Sequence, residues 1–180
     1  MGADVQGDHL SESPARVVVL ASHLEGEGHF HSSRYPVQPA LCRGDFDYAI
    51  ALEALWDSDL TIVNVEHDIE VSDAHLDELV ACPHPLCSWV YECHWITTGH
   101  SEGIIAAGTG DWAHHLQGGE EWADWSAIGL VKITAQARIE PLRCAKWQDL
   151  ERSVHRAITR PWHMHGNAPD KSGHATHHHW

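Results

Sequence analysis

Two kinds of hydrophobic pattern take turns along this chain. ARVVVLAS, from residue 15, and LTIVNV, from residue 60, are unbroken apolar runs with the density of strands covered on both faces. Between them Tyr48, Leu52, Leu55 and Trp56 recur at helical spacing within DFDYAIALEALWD, with Asp45 and Asp47 where a helix N-terminus favours negative charge. A second helix is expected over Asp73 to Ala81, started at Ser72-Asp73 and stopped by Pro83, and CSWVYE reads as a third strand. Strand, helix, strand, helix, strand in alternation predicts an α/β fold with a mostly parallel central sheet and crossover helices.

Around this framework the pattern is less regular. Residues 1–14 are polar and form an expected mobile lead-in. The link HLEGEGHFHSSRYPVQPALCRG carries Gly and Pro that argue against regular structure, and its length predicts a functional loop. From Cys93 to Trp125, glycines interleaved with Trp112, Trp122 and Trp125 suggest loops that shape a pocket. AIGLVKITAQARIE reads as a strand or strand pair. AKWQDLERSVHRAI is the clearest helix, with Trp147, Leu150, Val154 and Ile158 on one stripe and Pro161 as its stop. The His-rich segment after it reads as irregular.

Composition narrows the class. At 180 residues, 43% hydrophobic and with nine Trp, the chain suits a single domain with its own core. A formal charge of −15 opposes loose binding to nucleic acid or anionic membrane and attracts divalent cations. Seven of the eleven basic residues fall between Lys132 and Arg160, against three acids there, so this segment is net positive by four (7 minus 3). It reads either as a solvated helix face or as a site for phosphates. The five Cys match no CxxC pair and are expected as small buried residues in a reducing compartment. With no apolar h-region near the start and no run near the ~18 residues of a membrane span, a cytoplasmic protein is expected.

The chemistry concentrates where the second apolar run ends. Glu66 and Asp68 are two apart, so in extended chain they point to one side and form a two-carboxylate claw for a hard cation. The competing reading is that these acids serve the N-terminus of the next helix. His163 and His165 in PWHMHG are spaced so that two imidazoles can approach one centre. With carboxylates they make a mixed N/O set for Mn²⁺, Fe²⁺ or Zn²⁺.

In order, RVVVLAS, ALEALWDSD, TIVNVEHDI, GLVKIT and WHMHG with His174 after it resemble a small GT-A-type glycosyltransferase of the family 2-like group, of bacterial or phage type. The similarity covers roughly residues 15–175, taken as one catalytic domain ahead of a His-rich tail at 176–180. It implies a GT-A-like three-layer sandwich with a Rossmann-like nucleotide-binding half, a nucleotide-diphosphate sugar as donor and Mn²⁺ or Mg²⁺ as cofactor. It also implies a hydroxyl acceptor that is a small glycan, a metabolite or a modified DNA base, with no membrane partner. Asp68 and Glu66 would hold the metal, completed by His163 or His165. Asp45 and Arg43, with Glu66, would contact the donor. Asp124, with Glu121 behind it, would take the acceptor proton. The acidic motif departs from the family's Asp-x-Asp, and no second acidic motif is plain. Two rivals stand beside this reading: a Zn²⁺ or Mn²⁺ hydrolase using Glu66, Asp68 and the late His residues, and a non-enzymatic metal module built on Cys82, His84, Cys87, Cys93 and His94.

Overall fold

The computed structural model describes residues 16–43, 47–89, 91–95, 104–105, 107–108, 122–144, 150–165 and 175–179. Its centre is a seven-stranded sheet in the order β2 (Val37–Cys42), β1 (Val17–Leu24), β3 (Thr61–Val65), β10 (Leu130–Ile133), β4 (Leu86–Trp89), β11 (Trp162–His165) and β8 (Trp122–Ala123). Two smaller sheets complete the described strands: β5 (Tyr91–Trp95) lies between β12 (Ala175–His179) and β6 (Ile104–Ile105), and β7 (Ala107–Gly108) pairs with β9 (Trp125–Ser126). The helices are α1 (Asp47–Trp56), α2 (Asp73–Ala81) and α3 (Leu150–Ala157).

Alternation along each strand sorts its side chains between two cores. Val18, Leu20, Ile62, Val131, Ile133, Trp162 and Met164 face α1 and α3, packing on Leu52, Trp56, Leu150 and Val154. Val19, Ala21, Val63, Val65, Leu130, Cys87 and Trp89 face α2, packing on Leu76 and Leu79. Both faces of the sheet are therefore covered, which is why ARVVVLAS and LTIVNV are apolar without alternation.

The expected mostly parallel, GT-A-like sheet is corrected. Within the seven-stranded sheet three ladders are parallel and three antiparallel, and of the nine ladders among the described residues five are antiparallel. The cause is β10, which enters between β3 and β4 and runs against both. Its partners are distant in sequence, so no local pattern announced it. The expected loop after β1 is also corrected in its second half, where Val37–Cys42 joins the sheet parallel to β1. Parallel neighbours need a connection of about a dozen residues, and residues 25–36 supply it without a helix. Part of the His-rich end is likewise ordered into strand, because His163 and His165 of β11 take the sheet position beside β4.

Candidate functional site

β2, β1 and β3 are mutually parallel, so their C-terminal ends lie at one edge of the sheet. A cleft of about 600 Å³ opens there, within the range of small-ligand sites. Ser22 of β1, His29 and Phe30 of the following loop, Glu66 and His67 after β3, and His75 of α2 are among its walls.

Several polar contacts hold the walls in place. The His67 N–H donates to Ser22 Oγ at 2.8 Å, and the Glu66 N–H donates to the Gly129 carbonyl at 2.9 Å, fixing the turn that carries the acids to β1 and to the entry of β10. The loop after β1 is tied to α2: Ser32 Oγ and Ser33 Oγ donate to the Asp73 carboxylate at 2.5 and 2.6 Å, and Tyr35 Oη donates to Asp77 at 2.9 Å, where Arg34 also pairs. These hydroxyl donors hold the Asp73 carboxyl below the usual carboxylate range. Behind the acidic turn, the buried Tyr48 hydroxyl donates to Asn64 Oδ1, and Asn64 Nδ2 donates to the Ile128 carbonyl.

Electrostatically the cleft is a mixture of carboxylates and neutral imidazoles. Burial holds His75 below its ordinary pKa, and the Ser72 N–H donates to its Nδ1 at 3.2 Å. His29 is also lowered, by desolvation and then by the charges of His31 and His23. Among the described residues, no Lys or Arg lines the cleft. Glu151 of α3 was not singled out by sequence. Although 39% of its side chain is exposed, desolvation and then the Glu66 charge push its carboxyl up to about 7. His155, one turn on, is held neutral by burial, with a pKa of about 4, and its Nε2 lies 2.9 Å from the Ser126 carbonyl.

These two groups give opposed pH responses. His155 binds a proton more readily in the unfolded chain, so its contribution to stability is complete above about pH 6.5 and is lost as pH falls toward about 4. Glu151 holds its proton in the fold, so its contribution declines as pH rises from about 4.5 to about 7. Glu151→Gln should therefore stabilise the protein more at about pH 8 than at about pH 5, read from denaturant midpoints at each pH. An equal effect at both would contradict the assignment.

The expected site residues fall into separate places. Glu66 lines the cleft, and Asp68 stands two residues on in the same turn, half-buried. Arg43 follows β2 at the same sheet edge, exposed, its N–H donating to Asp47 at 2.8 Å. Asp45 and Glu121 lie outside the described residues. His163 and His165 sit on β11, three ladders from β3 and so roughly 14 Å away across the sheet. The expected single ion held by Glu66, Asp68 and a late imidazole is thus not assembled. Asp124 follows β8, the edge strand four ladders from β3, and is exposed, far from a proton-accepting position at the cleft.

What β11 does assemble is different. Cys82, Cys87, His163 and His165 each bring one donor atom, all within 4.8 Å of one another. The expectation of unpaired, merely buried Cys is corrected here, since the Cys82 and Cys87 sulfurs are joined. The Trp89 indole stands between this group and the cleft, 4.7 Å from the His75 ring and 6.1 Å from the His165 ring, centroid to centroid. Cys93 and His94 belong to β5, in the neighbouring three-stranded sheet.

Compared with protein-family models, with curated proteins and with solved structures, the chain finds no match in any of the three.

Proposed function

We propose that this chain is a metal-dependent transferase that takes a nucleotide-diphosphate sugar into the cleft at the ends of β2, β1 and β3 and passes the sugar to a hydroxyl acceptor. One observation carries the reading: the parallel trio brings the loop after β1 and the Glu66 turn to the same sheet edge, around one ligand-sized cleft. The C-terminal end of parallel strands is where α/β sheets receive nucleotides.

The charge of the cleft makes a cation part of the proposal. Carboxylates without an adjoining Lys or Arg repel a diphosphate, so such a ligand requires a divalent ion between them. Glu66 and Asp68 would hold it. Mg²⁺-type ions are commonly held by one or two carboxylates and the phosphates themselves, so a third protein ligand is not needed. When bound, the cation neutralises the charge that grows on the departing diphosphate. The chain's own residues bind and enclose: the loop from His29 walls the donor, Arg43 stands at the same sheet edge outside the cleft lining, and neutral His75, whose Nδ1 accepts from the Ser72 N–H, can donate its Nε2–H to the ligand. Asp124, exposed after the edge strand β8, takes no part.

Titration calorimetry with UDP- and GDP-sugars, with and without Mn²⁺, tests the reading. Binding should tighten at least about tenfold with Mn²⁺ in the wild type and lose that gain in Glu66→Gln and Asp68→Asn. Affinity indifferent to Mn²⁺, or Mn²⁺ dependence that survives Glu66→Gln, would overturn it.

A further inference from the structure

We infer that Cys82, Cys87, His163 and His165 form a closed tetrahedral site for Zn²⁺, independent of the cleft. Among the described residues this is the one group of His, Cys, Asp or Glu gathered closely enough to surround an ion.

The fold explains how four residues from distant parts of the chain meet. Cys82 caps the C-terminus of α2, and the Pro83-His84-Pro85 turn returns the chain to β4, where Cys87 points to the same side of the sheet. β11 then pairs parallel to β4 with His163 opposite Cys87. Trp162 and Met164 face the other core, so His163 and His165 both project toward the two sulfurs.

The spacing fits a metal. With Zn–S near 2.3 Å and Zn–N near 2.0–2.1 Å, tetrahedral angles put two imidazole nitrogens about 3.3 Å apart and a nitrogen and a sulfur about 3.5 Å apart. His163 Nδ1 lies 3.3 Å from His165 Nε2 and 3.5 Å from Cys82 Sγ. The sulfurs of Cys82 and Cys87 are in bonding contact and must part to about 3.8 Å to share the ion; their Cα atoms, 7.1 Å apart and wider than the usual disulfide span of about 4.4–6.8 Å, leave room for it. A second observation points the same way. Lys132 is buried, 2% exposed, stands opposite Cys87 in the sheet, and donates its Nζ to the Cys82 carbonyl at 2.5 Å, so it ties together the backbone that carries the two sulfurs.

Two thiolates and two neutral imidazoles are the donor set that selects Zn²⁺, and four protein ligands leave no open position, as in structural rather than catalytic zinc sites. The ion binds the reduced pair: a thiol or phosphine reductant supplies the two electrons that open the bond between the sulfurs, and the two thiols so formed release their protons to solvent as the ion binds. The ion clamps β11 onto the corner between α2 and β4, across a sequence separation of 81 residues from Cys82 to His163.

With eighteen His in the chain, bare metal uptake proves nothing, so the test reads thiolate ligation. The full chain, reduced with a phosphine, is titrated with Co²⁺ and then Zn²⁺. One equivalent of Co²⁺ should show the charge-transfer bands of thiolate and the intense visible bands of a tetrahedral ion, and Zn²⁺ should displace it. A triple variant, Cys42→Ser, Cys93→Ser and Cys144→Ser, should keep the signal. Cys87→Ser and His165→Ala should each weaken binding beyond the roughly 10–100-fold that losing an outer-shell partner costs, with circular dichroism confirming that each remains folded. His163→Ala serves where Cys87→Ser does not fold. A reduced protein that shows no thiolate-to-cobalt band, or a band that survives Cys87→Ser and the two His variants, would overturn the inference.

Discussion

Trp162→Ala should lower the unfolding free energy by about 3–5 kcal/mol, the range for removing a large aromatic from a packed core. Trp162 is completely buried, on the face shared with α3, in one cluster with Leu86, Val154 and Met164 and with its ring 5.2 Å from that of His155. It is also the residue before His163, so its packing sets the register in which the two imidazoles reach β4. The indole Nε1 is buried with no hydrogen-bond partner among the described residues. Trp162→Phe should therefore recover most of the loss, since it keeps an aromatic ring and removes an unpaired donor. Urea unfolding with unchanged m-value is the measurement, and a loss below about 1 kcal/mol for the alanine variant would mean that α3 does not close over β11 as described.

Asn64→Leu should cost about 2–6 kcal/mol by a different route. The substitution keeps a similar volume but leaves the Tyr48 hydroxyl and the Ile128 carbonyl buried without partners, at about 1–3 kcal/mol each. Tyr48 cannot escape by ionising, because desolvation, then the Glu66 charge, hold its pKa well above the ordinary value. Tyr48→Phe should cost less, since it orphans only the Asn64 oxygen. The larger consequence is local: Ile128 and Gly129 form the turn that anchors the Glu66 N–H. Asn64→Leu should therefore raise amide exchange at Glu66 and weaken ligand uptake by the cleft, whereas Trp162→Ala should act on stability far from it. Unchanged exchange at Glu66 would separate the rivet from the site.

Local structure was legible in the chain because local interactions decide it. The helix from Tyr48 to Trp56, the helix from Asp73 to Ala81 and the buried strand before Glu66 each announce themselves by spacing and by end signals, and α1, α2 and β3 stand there. Pairing is another matter. Leu130 to Ile133 reads as a strand, yet its antiparallel insertion between β3 and β4 depends on contacts with residues far away in sequence, which no window contains. The strand Val37–Cys42 was hidden by Pro36 and Pro39, residues that oppose ladder formation but are tolerated at a sheet edge, where β2 lies.

The site was half legible for the same reason. The place of Glu66 was legible because acids closing an apolar run lie at a strand end, whatever the sheet becomes. His163 and His165 lie close together, as their spacing suggests, with Cys82 and Cys87 beside them and the carboxylates of the acidic turn across the sheet. Nothing short of the register of β11 on β4 specifies those neighbours. Those two Cys are separated by four residues, Pro83 to Leu86, a spacing unlike common zinc motifs, so the pair carried little signal until the strand partner was known.

The location of the cation decides most between a cleft that works on nucleotide sugars and one that does not. Crystals soaked with Mn²⁺ and a nucleoside diphosphate, measured at a wavelength where manganese scatters anomalously, should show a peak at the Glu66 and Asp68 carboxylates with diphosphate oxygens on its open side. Manganese found only at His163 and His165, or no peak at the acidic turn despite bound nucleotide, would contradict the proposed role of the cleft.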